Sequence, residues 1–303
     1  MKAILGLMAA TILATGCAGA PHGAGVSAVA SAPAFASERI TVRVEGQGSD
    51  VVLIPGLSSS PTVWAETVGA HPGHRFHLVQ LNGFAGAPAR GNADGVVAAP
   101  AAEEIARYIR EQGLQKPAVI GHSMGGTMAM MAAARHPDLV GKVLVVDMLP
   151  WIGVFFGPPG ATVEQVRPVA DQIRAGMSGP PSPQGEAMLT QTINGMIRTE
   201  GRRAGVLAES RASDRGVSAR AYHELVTTDL RPELPKISAP VTVLYVQPGG
   251  SPLTEAQTYG LYRQAYAGLR GAQLKRIPDA AHFIMFDQPE RFQAEVRSFL
   301  AAK

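Results

Sequence analysis

The chain has 303 residues, of which 46% are hydrophobic, and its 27 lysines and arginines nearly balance 24 aspartates and glutamates, for a formal net charge of +3. This composition excludes a disordered or collagen-like chain, and the length suffices for one large α/β unit. The basic residues form no long run, so a nucleic-acid partner, which needs clustered positive charge, is not expected. The single cysteine excludes an intrachain disulfide and a zinc site built from cysteines.

The N-terminus has the pattern of an export signal. Lys2 precedes an apolar run over residues 3–14, which is shorter than the roughly 20 residues needed to span a bilayer. Cys17 follows Leu-Ala-Thr-Gly and resembles the cysteine of a bacterial lipobox. That resemblance implies a signal peptide over residues 1–16, a lipid on Cys17 that anchors the protein to a bacterial membrane, and a place on the periplasmic side of the envelope.

The next segment, residues 17–37, consists mostly of alanine, glycine, serine and proline. Such a composition cannot form a packed core, so a flexible tether is predicted. The alternative to the lipobox is a plain secretory signal that is cleaved after Ala-Phe-Ala at residues 34–36. Both interpretations imply export.

From residue 39 onward, short apolar β-branched runs alternate with amphipathic segments. Strands are predicted at residues 40–45, 50–56, 76–83, 117–121, 142–147, 240–246 and 272–277. Helices are predicted at residues 96–113, 124–135, 254–267 and 289–302. Nearly continuous apolar strands separated by helices indicate a mostly parallel sheet flanked by helices, and the predicted α/β core comprises residues 38–149 and 233–303.

Residues 150–232, here named the cap, lack strand-like runs and contain Gly/Pro-rich stretches at 157–160 and 178–185. They are predicted to be a mainly helical insertion. Four apolar residues at roughly helical spacing suggest an inner face: Met177, Met188, Met196 and Ile197. These residues could line a binding site or could only pack the cap onto the core.

A candidate nucleophile lies between the predicted strand at 117–121 and the predicted helix at 124–135. Residues 121–125 read Gly-His-Ser-Met-Gly, a G-x-S-x-G pattern. A sharp strand-to-helix turn strains the serine and crowds its flanks, which explains the two glycines. Ser123 would then stand exposed above the sheet, but an alcohol needs a neighbouring base and a group that orients this base.

His282 is the candidate base, because it lies in a loop between the last predicted strand and the last predicted helix. His122 occupies the variable position of the turn and is expected to pack inside. Five of the six other histidines have simpler explanations: His22 in the tether, His71, His74 and His77 together in one surface turn, and His136 at a helix end.

Residues 40–302 resemble α/β-hydrolase-fold enzymes of the esterase, haloperoxidase and haloalkane dehalogenase type. The resemblance rests on Ile-Pro-Gly-Leu at 54–57 followed by Trp64, on the glycine-rich motif at 121–126, and on Pro-Asp-Ala-Ala-His-Phe at 278–283 running into Asp-Gln-Pro-Glu at 287–290. It implies that the backbone amides of Leu57 and Met124 form an oxyanion hole. It also implies a reaction that needs no metal or organic cofactor.

The acid of the triad departs from the commoner pattern of this family. Members usually carry it just after the strand equivalent to 240–246, but the sequence there is Gln-Pro-Gly-Gly-Ser at 247–251. Some haloalkane dehalogenases carry it one strand earlier, where Asp147 ends an apolar run. Asp147 is therefore preferred as the acid, and Glu255 remains the alternative.

Other carboxylates and side chains receive weaker assignments. Asp279 is expected to shape its loop, and Asp287 and Glu290 to cap the last helix. Five residues are candidate substrate contacts: Ser58, Met148, Trp151, Phe155 and Phe156. For Ser58 a turn-forming role is preferred, and packing alone would explain the other four about as well.

The sequence thus predicts a serine hydrolase that cleaves carboxylic esters or thioesters of apolar acyl or aromatic groups through an acyl-enzyme. A serine at position 123 argues against dehalogenase and epoxide hydrolase chemistry, which use aspartate there. The alternatives are lactone or amide hydrolysis, perhydrolysis with the same triad, and a non-catalytic binding lipoprotein.

Overall fold

The structure is a computed structural model that describes residues 35–247 and 252–302. The predicted signal peptide, the predicted lipidation site Cys17 and nearly all of the predicted tether lie outside these residues. No helix among the described residues combines the length and the apolar character needed to cross a bilayer.

In the described residues, seven strands form one sheet. They are β1 (Ile40–Gly46), β2 (Ser49–Ile54), β3 (His74–Leu81), β4 (Ala118–His122), β5 (Lys142–Val146), β6 (Val241–Tyr245) and β7 (Gln273–Arg276). Their order is β1-β3-β2-β4-β5-β6-β7. Only the β1–β3 pair is antiparallel, which confirms the predicted mostly parallel sheet.

Helices cover this sheet and fill the segment between β5 and β6. The helices are α1 (Ala65–Ala70), α2 (Ala98–Glu111), α3 (Met124–Arg135), α4 (Val163–Ser178), α5 (Pro183–Met196), α6 (Glu200–Ala212), α7 (Arg215–Thr227), α8 (Glu255–Ala265), α9 (Ile284–Asp287) and α10 (Pro289–Ala301). Short 3-10 turns occur at Pro61–Trp64, Arg90–Asn92, Ile152–Phe155 and Leu234–Lys236.

The central strands are apolar on both sides because each side faces a separate cluster of buried residues. Along β2, Val52 and Ile54 belong to one cluster, whereas Val51 and Leu53 belong to the other. Side chains alternate across a strand, so a strand that is buried on both faces needs a continuous apolar run. This requirement explains why the central strands could be predicted from the sequence.

The cap contains helices α4 to α7. Its residue Ile197 is fully buried and belongs to the same cluster as Ile193, Val206 and the core residue Phe283. The expectation for Met188 was wrong, since this side chain is 61% exposed on α5. Only part of the predicted apolar series therefore faces inward.

A buried carboxylate connects the cap to the core. Helix α2 begins after Val97, whose side chain cannot accept a hydrogen bond. The carboxylate of Glu224 on α7 instead accepts from the backbone N–H groups of Val97, Ala98 and Ala99 at 2.6, 2.7 and 2.8 Å. Negative charge at a helix N-terminus is favourable, and these amides lack acceptors within the helix. Glu224, which is only 4% exposed, therefore acts as the cap of a helix far away in sequence.

We expect Glu224→Ala to lower the free energy of unfolding by about 3 kcal/mol, because three buried amides lose a charged acceptor. Glu224→Gln should lose less, since one carbonyl oxygen remains. Chemical denaturation measures both changes. The matched control is Glu186→Ala, which removes an exposed carboxylate that pairs with Arg211 on the cap surface and should change stability little. Equal losses in Glu224→Ala and Glu186→Ala would contradict this interpretation.

Candidate active site

The turn between β4 and α3 holds Ser123 in a strained backbone conformation, with φ 53° and ψ −124°. The turn is possible only because its flanks lack side chains. A Cβ on Gly121 would lie 2.2 Å from the Gly125 carbonyl oxygen, and a Cβ on Gly125 would lie 2.2 Å from that of Ile54. The Ser123 hydroxyl makes no hydrogen bond to the described part of the chain, and the residue is partly exposed. The predicted strand–turn–helix context is confirmed.

His282 and Asp147 meet at the same end of the sheet. Asp147 follows β5 with a φ of 50°, and its Oδ2 lies 2.7 Å from Nδ1 of His282. The Nδ1–H group therefore donates to the carboxylate, and Nε2 is left without a hydrogen bond to residues 35–247 or 252–302. An imidazole held in this way presents Nε2 as the nitrogen that can accept a proton.

His122 links the loop of His282 to the turn at Ser123. Its Nε2–H donates to the His282 carbonyl at 3.0 Å, and the two ring centroids are 4.6 Å apart. The side chain is 1% exposed, so the expectation that it packs inside is confirmed. Burial, followed by the nearby charge of His282, holds the pKa of His122 well below its usual value. His122 is therefore neutral and acts as a fixed donor.

Two donors support the carboxylate of Asp147 from the side opposite His282. The Val246 amide and the Tyr262 hydroxyl each donate to Oδ1 at 3.1 Å. Burial, and then the charge of Asp147, raise the pKa of Tyr262 well above its usual value, so the hydroxyl stays protonated. Tyr262 was not predicted from the sequence. Its only signal was the spacing of Tyr262 and Tyr266 on one face of a helix that packs near the sheet.

The alternative acid, Glu255, lies elsewhere. It is the first residue of α8, and its side chain is 65% exposed and pairs with Arg276 of β7 at 2.7 Å. Among the described contacts, His282 is paired with Asp147 and not with Glu255.

The loop after β2 passes directly against the turn at Ser123. A Cβ on Gly56 would lie 3.1 Å from Cβ of Ser123. The amide of the next residue, Leu57, donates no hydrogen bond within the described residues. Met124 is the first residue of α3, where amides have no acceptor inside the helix. The two amides predicted to stabilise an oxyanion thus belong to segments that flank Ser123.

The predicted substrate contacts occupy different environments. Trp151 is 2% exposed, donates from Nε1 to the Val226 carbonyl at 2.7 Å and packs in the apolar core of the cap, so its assignment to a substrate pocket is corrected. Phe156 packs against Tyr222 next to that core. Phe155 is 61% exposed on the surface.

The other two predicted contacts lie nearer to Ser123. Met148 is 6% exposed and packs close to Gly126 of α3. Ser58 is 8% exposed, and its hydroxyl oxygen lies 2.8 Å from that of Ser218 on α7.

Asp287 does not cap α10, contrary to the expectation, since this helix has Gln288 at its N-cap. The Asp287 carboxylate accepts from the amides of Ala281, Arg198 and Thr199, at 2.8, 3.0 and 2.8 Å. It therefore ties the loop of His282 to the connection between α5 and α6.

The histidines assigned to one surface turn are in part buried. His77 is 2% exposed in β3 and contacts Tyr108 and Asp50, and burial lowers its pKa. His71 is 5% exposed and bonds to Gln293. Among residues 35–247 and 252–302, no three His, Cys, Asp or Glu side chains are grouped so as to hold a metal ion.

Comparison with known proteins identifies the family of this chain. Residues 51–295 match the model of the alpha/beta hydrolase family. The chain belongs to this family.

Among curated relatives, the pimeloyl-[acyl-carrier protein] methyl ester esterase of Vibrio cholerae is 29% identical over 217 residues, which cover 67% of this chain and 77% of the relative. The enzyme of that name from Aliivibrio fischeri is 33% identical over 111 residues, which cover 36% of this chain and 40% of the relative. An esterase from Exiguobacterium antarcticum superposes with a TM-score of 0.71 at 19% identity, covering 87% of this chain and 96% of that one. This structural similarity supports the shared fold.

Tyr262→Phe removes the hydroxyl that donates to Asp147 and leaves the ring in place. We expect a fall of about tenfold in kcat for a p-nitrophenyl ester with little change in KM, since a hydrogen bond to a charged group contributes about 1.5 kcal/mol. Steady-state kinetics measure this. The matched control is Tyr266→Phe, because Tyr266, at the C-cap of α8, is also buried but donates to the Met148 carbonyl. The interpretation fails if both variants lose the same activity.

Proposed function

We propose that this protein is a serine hydrolase that cleaves carboxylic esters of apolar acyl or aromatic groups through an acyl-enzyme at Ser123. The family match and the esterase relatives make it an ester-cleaving hydrolase. The roles of the individual residues rest on one observation above all, the 2.7 Å contact between His282 and Asp147 at the end of the sheet that carries Ser123.

In the proposed mechanism, Nε2 of His282 takes the proton of Ser123 as its Oγ attacks the ester carbonyl. Asp147 stabilises the resulting imidazolium, and the amides of Leu57 and Met124 stabilise the negative charge on the carbonyl oxygen. His282 then returns the proton to the departing alcohol. A water molecule, deprotonated by His282, attacks the acyl-enzyme and releases the acid and the free serine.

The preference for apolar groups is supported by the inner face of the cap next to the loop of His282. The amide of Phe283 donates to the Met196 carbonyl at 3.1 Å, so the cap and the catalytic loop meet here. Phe283 and Met196 pack with Ile193, Val206 and Leu207 in one apolar cluster. A substrate group that reaches this side of His282 would meet carbon atoms and few charges.

The proposal is tested with a fluorophosphonate probe and a series of p-nitrophenyl esters. We expect wild-type protein to be labelled and Ser123→Ala to be neither labelled nor active. Asp147→Asn should lower kcat by about 10⁴, the loss typical of an orienting acid. Glu255→Gln serves as the control, because Glu255 is a carboxylate at the same end of the sheet. Its kcat should remain near the wild-type value. Activity retained in Asp147→Asn but lost in Glu255→Gln would overturn the assignment of the acid, and labelling that persists in Ser123→Ala would overturn that of the nucleophile.

We also propose that the chain is exported and anchored to a bacterial membrane by a lipid on Cys17, which rests on the N-terminal sequence alone. Expression of the full chain in a bacterium supplied with an alkyne fatty acid tests this. Wild type should incorporate the label and sediment with membranes, whereas Cys17→Ser should do neither. An unlabelled, soluble wild type cleaved after residue 36 would support a plain secretory signal instead.

A further inference from the structure

The loop that carries the Leu57 amide has an unusual conformation. This segment, residues 56–60, is here named the oxyanion loop. Ser58, directly after Leu57, has a φ of 55°, in the left-handed region that side chains other than glycine rarely adopt. Such a conformation persists only where surrounding contacts hold it, and it occurs most often at functional sites. The contacts that hold the oxyanion loop therefore bear on the direction of the Leu57 amide.

Several of these contacts come from the cap and not from the core. The buried hydroxyl oxygens of Ser58 and Ser218 lie 2.8 Å apart. The carboxylate of Glu209 on α6 accepts from the Ser60 amide at 3.0 Å and from the hydroxyls of Ser60 and Thr62 at 2.5 Å each. Ser218 thus holds the oxyanion loop at the strained residue Ser58, and Glu209 holds it two positions further on, at Ser60.

Attachment of the cap alone would not require these particular contacts. Glu224 binds the start of α2, and Asp287 binds the connection between α5 and α6, so the cap is already held to the core at two other places. The contacts of Glu209 and Ser218 fall on a loop that passes against Ser123 and whose Leu57 amide has no acceptor within the described residues.

We propose that Glu209 and Ser218 are positioning residues for the oxyanion hole. Through them the cap sets the direction in which the Leu57 amide points, so stabilisation of the oxyanion depends on a docked cap. Neither residue is proposed to touch the substrate. This inference rests on the proposed acyl transfer at Ser123.

The experiment compares Glu209→Gln, Ser218→Ala and the control Glu186→Gln. Glutamine keeps the size of Glu209 but cannot accept from the Ser60 amide and from both hydroxyls at once. Glu186 is also a carboxylate of the cap, but it pairs with Arg211 at the surface. The measurements are kcat and KM for a p-nitrophenyl ester, and the Ki of a trifluoromethyl ketone, whose tetrahedral adduct with Ser123 needs the oxyanion hole. Thermal unfolding is measured alongside.

For Glu209→Gln we expect kcat to fall by about tenfold and the Ki of the ketone to rise by about tenfold, less than the roughly 10²–10³ loss that follows removal of an oxyanion donor. KM should stay within about twofold, because the ester ground state carries no oxyanion. Ser218→Ala should show the same pattern with a smaller loss. In the variant that combines Glu209→Gln with Ser218→Ala, the two losses should not add, since both residues hold one loop. Glu186→Gln should match wild type in kcat and in Ki.

Unchanged kcat and Ki in both variants would overturn the proposal, as would a rise in KM at constant kcat, which indicates that the cap only binds substrate. Loss of activity in proportion to loss of folded protein would likewise assign a purely structural role. Ser218→Ala decides the question if Glu209→Gln does not fold. The fluorophosphonate label distinguishes failure of the proposed function from failure of the positioning role. An unlabelled wild type would contradict the proposed function. A labelled Ser123 with wild-type kinetics in both variants would contradict only the positioning role.

Discussion

The whole site depends on a close approach of three backbone segments. The end of β2, the turn after β4 and the start of α3 come so near to one another that a Cβ on Gly121 or Gly125 would collide with a carbonyl oxygen at 2.2 Å. Only because these positions lack side chains can Ser123 take its strained conformation at the tip of the turn. The same approach places the loop that carries Leu57 against the turn at Ser123.

The rest of the site is organised around two carboxylates that connect distant segments. Asp147 lies between the imidazole of His282 and the hydroxyl of Tyr262, so it joins β5, α8 and the loop before α9. Asp287 joins that loop to the cap through the amides of Ala281 and Thr199. The bonds from Val246 and Tyr262 to Asp147 are buried, so they satisfy the requirement that buried polar groups be bonded. The core, the loop of His282 and the cap are thereby linked by hydrogen bonds as well as by apolar packing.

The sequence predicted those features whose signal is local. The central strands are continuous apolar runs, and the helix at Met124–Arg135 has the predicted bounds, because periodicity and the glycines of the turn encode both. Asp147 could be preferred over Glu255 since it ends a buried strand, where a charge needs a partner. The fold and a candidate Ser-His-Asp set were thus accessible before the structure.

Features that depend on contacts between distant residues were not accessible. Nothing near Val97 indicates that Glu224 would cap α2, and nothing near Ser60 indicates Glu209. Trp151 was predicted to contact the substrate because the sequence does not distinguish an aromatic residue that lines a pocket from one that packs in a core. Met188 has helical spacing with buried neighbours, but it lies on the outer side of α5, and sequence periodicity alone does not fix the rotation of a helix against its partner.

The anchoring of α2 by Glu224 limits how this scaffold can be reshaped. A shortened chain in which a brief linker replaced residues 150–232 would leave the first turn of a core helix with no carboxylate to receive its amides. Exchanging these residues for the cap of another hydrolase would have the same effect, unless the new cap placed an acidic side chain at the position of Glu224. Removal of the cap would therefore destabilise a helix of the core as well.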